Sequence, residues 1–175
     1  MCASGHSGAG KTFTMGLNEQ NSQGIVTMTL DSLFTKLTNN HGDFKVQLSY
    51  IEIYKEKVND LPDEKCSGRT LLAKGLKFTG SAKLDITSSE EAKRFLEKGN
   101  QNRHFRATFL NATSSRSHTV CSIFVETRTE SKRIGAVAYL VDLACNESIR
   151  HNDQPAILQE IFAINNGLLT LGRVV

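Results

Sequence analysis

The chain has 175 residues, 39% of them hydrophobic and 22% charged, which is the composition of one ordinary globular domain with a core of its own and argues against disorder. Its 21 basic and 18 acidic side chains leave a net charge of +3, compatible with an acidic partner surface but too mild to specify one. Cys2, Cys66, Cys121 and Cys145 lie far apart with no C-x-x-C pair, so neither a zinc ribbon nor a disulfide framework is indicated, and reduced thiols in a cytosolic or nuclear protein are expected.

In chain order, only Met1 to Ser4 precede a glycine-rich run, so the strand that should present such a loop is expected to be almost wholly missing, as if the amino terminus were cut. The run Gly5-His6-Ser7-Gly8-Ala9-Gly10-Lys11-Thr12 fits G-x-x-x-x-G-K-[ST], the loop whose backbone N–H groups wrap around nucleotide phosphates. Glycine lets the backbone curl around an anion and approach it without a Cβ in the way. A helix is predicted to follow over Lys11–Met15 and to add its positive end. Lys11 is expected to reach the β- and γ-phosphates and Thr12 to offer its hydroxyl to Mg²⁺. The cofactor-binding set is therefore Gly5, His6, Ser7, Gly8, Ala9, Gly10, Lys11, Thr12 and Phe13.

A polar interruption spans Gly16 to Gln23, and then Ile25, Met28, Leu30, Leu33, Phe34 and Leu37 recur at helical steps up to the Asn39-Asn40-His41-Gly42 breaker. From Phe44 to Val58 the pattern alternates as in a strand. Its apolar residues change parity near Tyr50 and Ile51, which predicts either a bulge or burial on both faces. Residues 59–68, with Pro62, read as a loop, and 69–86 as short strands or an irregular hairpin around Gly75 and Gly80.

Thr87-Ser88-Ser89-Glu90-Glu91 reads as a helix start, and Ala92, Phe95, Leu96 and Gly99 mark the buried face of a helix to about Arg103. The basic stretches Arg103–Arg106 and Glu130–Arg133 read as solvated surface. Two strands, His118–Thr127 and Gly135–Leu143, are joined by the charged turn Arg128–Arg133, and a final amphipathic helix runs from about Pro155 to Val174. No apolar run reaches the roughly 18 residues of a membrane span and no signal-like segment opens the chain, so a soluble protein without a membrane partner is expected. Helices mixed with apolar strands predict an α/β layered fold.

Two further segments carry chemistry. Asn111-Ala112-Thr113-Ser114-Ser115-Arg116-Ser117-His118 is dense in hydroxyls, as expected where a γ-phosphate, Mg²⁺ and an attacking water are held by short side chains. The apolar strand Ala136–Leu143 ends in Asp142, the placement of a Walker-B acid that binds Mg²⁺ through water, and Glu147 follows in a loop.

Together these segments resemble the kinesin motor domain: the P-loop followed by T-M (Gly5–Met15), the first switch N-x-x-S-S-R-S-H (Asn111–His118) and the second switch D-L-A-G-x-E (Asp142–Glu147). Ser49–Leu61 is similar to the family's S-Y-x-E-I-Y-x-E-x-[VI]-x-D-L, and Ile164–Val175 to its I-N-x-S-L-x-x-L-G-x-V-I. The likeness covers essentially the whole chain.

It implies a P-loop NTPase of kinesin motor fold, a mostly β central sheet flanked by helices and incomplete at both ends, with residues 1–175 as a partial motor domain from the P-loop through the switch II helix. It further implies ATP and Mg²⁺ as cofactors and a microtubule (tubulin) as partner, with no nucleic-acid contact. The implied location is cytoplasm and cytoskeleton, with spindle or nucleus as variants. By the resemblance, Ser114, Ser115, Arg116 and Glu147 are catalytic, and Thr12, Ser114 and Asp142 hold the metal. Arg116 pairs with Glu147 to close the switch loops, and the helix from Pro155 docks on tubulin.

The chain also departs from the pattern. Cys145 stands where the family has glycine, so a Cβ and sulfur should crowd the approach to the γ-phosphate. Ile161-Phe162 replaces small residues, and Gly167 replaces a serine. The alternative expectation is a pseudo-motor or non-functional fragment that retains nucleotide or microtubule binding only.

Overall fold

The computed structural model describes residues 1–6, 8–17, 23–40, 42–54, 57–62, 73–74, 77–78, 82–110, 116–129 and 132–145, and of residues 57, 73–74, 77–78 and 104–110 the backbone alone. Among the described residues eleven elements follow in order: β1 (Cys2–Ala3), α1 (Lys11–Met15), α2 (Ile25–Asn39), β2 (Asp43–Tyr54), β3 (Lys57–Asp60), β4 (Ala73–Lys74), β5 (Lys77–Phe78), β6 (Leu84–Ile86), α3 (Ser89–Leu110), β7 (His118–Arg128) and β8 (Arg133–Asp142). The predicted final helix lies outside the described residues.

The main sheet runs β1-β8-β7-β2-β3, with β6 sharing the β3 edge of β2, while β4 and β5 form a separate pair. It is mixed: β1 lies parallel to β8, and β2, β3, β6, β7 and β8 pair antiparallel. The β1 strand is short but present. Its two residues align Cys2 with Val141 and Ala3 with Asp142.

β2 pairs with β7 without interruption from Asp43↔Arg128 to Ile53↔His118, so there is no bulge at Tyr50 and Ile51. The parity change instead reports burial on both faces. Val46, Leu48 and Tyr50 enter the large core, whereas Ile51 joins Val58 and Val120 in a smaller cluster beneath the sheet. Such a strand reads as a near-continuous apolar run because neither face meets water.

The strand read through Val58 reverses after Tyr54: β3 turns back along β2, pairing Tyr54 with Lys57 and Ile51 with Asp60. Alternation continues through a tight hairpin, so the pattern alone hid the reversal. The helix expected to end near Arg103 continues to Leu110. A signal for the extension existed, since Ala107 and Leu110 continue the helical spacing of Leu96, Gly99 and Arg103.

The buried apolar side chains of the three described helices join one cluster on the Leu48 face: Met15 of α1, Val26, Leu30, Phe34 and Leu37 of α2, and Ala92, Phe95 and Leu96 of α3. Burying each of these larger apolar side chains contributes about 1.5–3 kcal/mol before entropy is counted. At the start of α3, the Ser88 hydroxyl accepts from the Glu91 N–H at 3.2 Å, while the Glu91 carboxylate accepts from the Thr87 N–H at 2.7 Å, a reciprocal cap. Asp31 ties the two long helices together through Ser89 and, at 2.9 Å, Lys93.

Candidate functional site

The parallel β1–β8 pair sets the site. Because the two strands run the same way, the loop leaving β1 and the residues leaving β8 emerge at the same end of the sheet, with the Leu143 N–H bonded to Ala3 O at 3.2 Å. The loop then turns through Gly8 (φ 78°) and Gly10 (φ 80°), both left-handed, where a Cβ would cost strain. Gly10 caps α1, and its carbonyl accepts from the Thr14 N–H at 2.8 Å.

Three predicted site residues meet here. Thr12 donates its hydroxyl to Asp142 Oδ2 at 2.7 Å. Lys11, one residue earlier, donates its ammonium to Gly5 O at 3.0 Å, His6 O at 3.1 Å and Cys145 Sγ at 2.9 Å. Asp142 is only 1% exposed, and its Oδ1 has no hydrogen-bond partner among the described residues. A threonine hydroxyl beside a carboxylate with an oxygen to spare is a hard-oxygen donor set, which fits Mg²⁺, and the ammonium next to it fits phosphate. Gly8, Ala9, Gly10, His6 and Phe13 lie exposed at the rim. Ser7, Ser114, Ser115 and Glu147 lie outside the described residues, and so does any Arg116–Glu147 pair; Arg116 itself is half-buried.

Asp142 also belongs to a row of polar side chains whose other members the sequence reading did not assign. Glu52 on β2 faces Thr119 on β7, which faces Asp142 on β8, so three polar residues share one rung across three strands. Arg103 of α3 lies over the row, with Nε 3.7 Å from Glu52 Oε1 and Nη1 3.8 Å from Asp142 Oδ2, while Nη2 donates to Ser117 Oγ at 3.3 Å. Arg103 is 6% exposed, which corrects the expectation of a solvated basic surface there. A signal existed: Ala92, Leu96, Gly99 and Arg103 fall at helical steps on one face, so the arginine shares the buried stripe. Buried charges of this kind persist only when paired.

α3 reaches the row because it packs closely on β2. A Cβ at Gly99 would stand 2.5 Å from Tyr50 Cδ1. Tyr50 donates its hydroxyl to Asn100 Oδ1 at 2.8 Å, and Asn102 Nδ2 donates to Leu61 O at 2.6 Å. Full burial pushes the Tyr50 phenol far above its ordinary range, and burial likewise pushes the neighbouring Cys121 thiol up to about 12.

His118 closes the site from the other side. Its Nδ1 accepts the Ala144 N–H at 3.0 Å, joining the start of β7 to the residues after β8. Burial, against the attraction of Asp142 and with the repulsion of Arg103, holds its pKa below the ordinary histidine value. The neutral ring is the form that accepts at Nδ1. Cys2, Cys121 and Cys145 are free thiols, and no helix among the described residues is long and apolar enough to cross a membrane.

The kinesin motor domain family matches residues 1–175. The chain is 34% identical to kinesin-like protein KIF1A of Rattus norvegicus, covering 99% of this chain and 11% of that protein. It is 36% identical to kinesin-like protein KIF11 of Mus musculus, covering 99% and 19%. To kinesin-like protein KIN-8A of Oryza sativa subsp. japonica it is also 36% identical, covering 98% and 23%. The chain thus spans less than a quarter of the length of these three relatives.

Its fold is similar to that of a fast kinesin whose structure was described for its ATPase mechanism and interactions with microtubules, with TM-score 0.81 and 26% identity over 93% of this chain and 49% of that one. It is also similar to the C-terminal motor and motor homology domain of Kar3Vik1 fused to a synthetic heterodimeric coiled coil, with TM-score 0.76 and 28% identity over 98% and 46%. A loop, a lysine–threonine pair and a strand-end aspartate in this arrangement, on a chain matched along its whole length, place the protein in the kinesin motor domain family.

Proposed function

We propose that this chain is the nucleotide-handling part of a kinesin-type motor, which binds ATP with Mg²⁺, hydrolyses it and couples the phosphate state to microtubule binding and movement. The observation that carries the reading is the Thr12–Asp142 hydrogen bond of 2.7 Å with the Lys11 ammonium beside it. Gly5 to Phe13 would form the phosphate cradle, Lys11 would neutralise phosphate charge, and Thr12, Ser114 and Asp142 would hold Mg²⁺. When bound, the ion would stabilise negative charge on the phosphate oxygens.

Ser114 and Ser115 would position the terminal phosphate and the attacking water, Arg116 and Glu147 would pair to close the switch loops, and the segment from Pro155 would contact tubulin. Such loops work as an order–disorder switch, since their closed geometry depends on contacts made only while the terminal phosphate is present. The location follows as cytoplasmic, on the microtubule cytoskeleton.

Titration with a fluorescent ADP, with and without Mg²⁺, tests the cradle, and co-sedimentation with microtubules tests the partner. Saturable binding weakened at least about tenfold by Lys11→Ala and by chelation of Mg²⁺ is expected. Binding indifferent to both changes refutes the assignment.

A second reading, a pseudo-motor that binds without turnover, is favoured by the contact of the Cys145 thiol with Lys11. Microtubule-stimulated phosphate release separates the two. A motor turns over as it stands, whereas a pseudo-motor does so only after Cys145→Gly.

A further inference from the structure

An ammonium has three N–H donors, and the chain itself supplies three acceptors to Lys11: the carbonyls of Gly5 and His6 and the sulfur of Cys145, at 3.0, 3.1 and 2.9 Å. The two carbonyls belong to the loop backbone. The sulfur is the weakest acceptor of the three and the one that comes from the far side, off the end of β8. Cys145 is 2% exposed, so its side chain is packed in place and has no open solvent to swing into.

The backbone just before Cys145 is also held. The Leu143 N–H is bonded to Ala3 O at 3.2 Å and the Ala144 N–H to His118 Nδ1 at 3.0 Å. Retreat of the sulfur by sliding the chain would break the second of these, and a change of the Cys145 rotamer would press it against packed neighbours.

We infer that Cys145 is a specificity determinant of the nucleotide site, its sulfur holding the place on Lys11 that the terminal phosphate of a nucleoside triphosphate would need, so that the site favours nucleoside diphosphate. The inference rests on the nucleotide-binding reading above. A phosphate oxygen is a far better partner for the ammonium than a thiol, so the sulfur opposes it by volume and not by attraction. The loop backbone and Thr12 are untouched by this competition and serve a diphosphate equally well. Removing the side chain should therefore act far more on the triphosphate than on the diphosphate.

The test is equilibrium competition of ADP and a β,γ-imido adenosine triphosphate against a fluorescent ADP, with Mg²⁺, on the whole chain and on Cys145→Gly and Cys145→Ala. The unaltered chain should hold ADP at least about tenfold more tightly than the imido triphosphate, the factor that one charge-assisted hydrogen bond represents. Cys145→Gly should tighten the triphosphate by about tenfold with ADP moved less than about twofold. Cys145→Ala, which keeps the Cβ and the backbone preferences of a non-glycine residue, should shift the ratio the same way by less, and it carries the test if the glycine variant does not fold. A ratio near one in the unaltered chain, or one that neither variant changes, overturns the role of Cys145 while leaving the nucleotide site standing. Failure of the unaltered chain to bind either nucleotide overturns the site itself.

Discussion

Thr12 and Asp142, 130 residues apart in sequence, share a hydrogen bond of 2.7 Å that ties the first turn of α1 to the end of β8. Thr12→Val keeps the shape and removes the donor, leaving the Oδ2 of the buried Asp142 carboxylate without this partner beside an Oδ1 that already has none among the described residues. The expected loss is about 1–3 kcal/mol in urea denaturation, together with loss of Mg²⁺ dependence in nucleotide binding. Thr12→Ser should retain both. Unchanged Mg²⁺ dependence in Thr12→Val would separate the hydroxyl from any metal role.

Arg103 lies between Glu52 and Asp142 with all three side chains buried. Arg103→Met leaves two carboxylates facing one another across Thr119 and should cost about 3–5 kcal/mol, the penalty for stranding a buried charge. Glu52→Gln in the same background should recover part of the loss, and a double-mutant cycle by chemical denaturation measures the coupling. Strictly additive effects would show that the guanidinium does not hold the row together.

Gly99 and Gly135 make a matched pair of probes. A methyl at Gly99 collides with the ring of Tyr50 at 2.5 Å, whereas one at Gly135 meets nothing within 4 Å. Gly99→Ala should lower stability by about 1–3 kcal/mol, and Gly135→Ala should change it by less than about 0.5 kcal/mol. Thermal unfolding of the two variants checks both. Equal melting temperatures would mean that α3 can move off β2 freely.

His118 predicts a pH dependence. The unfolded chain takes up the imidazole proton near the ordinary value of about 6.5, while the folded chain, with its lowered pKa, takes it up only at more acidic pH. Between the two values the unfolded state binds more protons. Stability is therefore full above about 6.5 and falls as pH drops through that window, with the Ala144 N–H losing its acceptor. His118→Gln should flatten this step in melting temperature against pH; a step of unchanged size would assign it to another group.

Much of this was legible because periodicity and buried surface coincide. α2, apart from the exposed Met28, and β7 present apolar patterns that match the faces they bury, and the loop motif announces its own backbone, whereas the apolar Ile134 and Val137 of β8 stand about half exposed. The hairpin between β2 and β3 was not legible, since Tyr54 and Val58 keep alternating across the turn. The buried side of Arg103 was present in the spacing from Gly99, but its charge pointed the other way; tertiary pairing with Glu52 overrode it. The contact between Cys145 and Lys11 spans 134 residues, and only the fold brings them together.

The unbroken pairing of β2, β7 and β8 has a further consequence for folding fidelity. A slip of one residue in β2 would carry Glu52 to the opposite side of the sheet and bring Ile51 or Ile53 against Arg103. Such a misaligned intermediate strands a guanidinium among hydrocarbon, so the same ionic rung that underlies the site also proofreads the alignment of the strands.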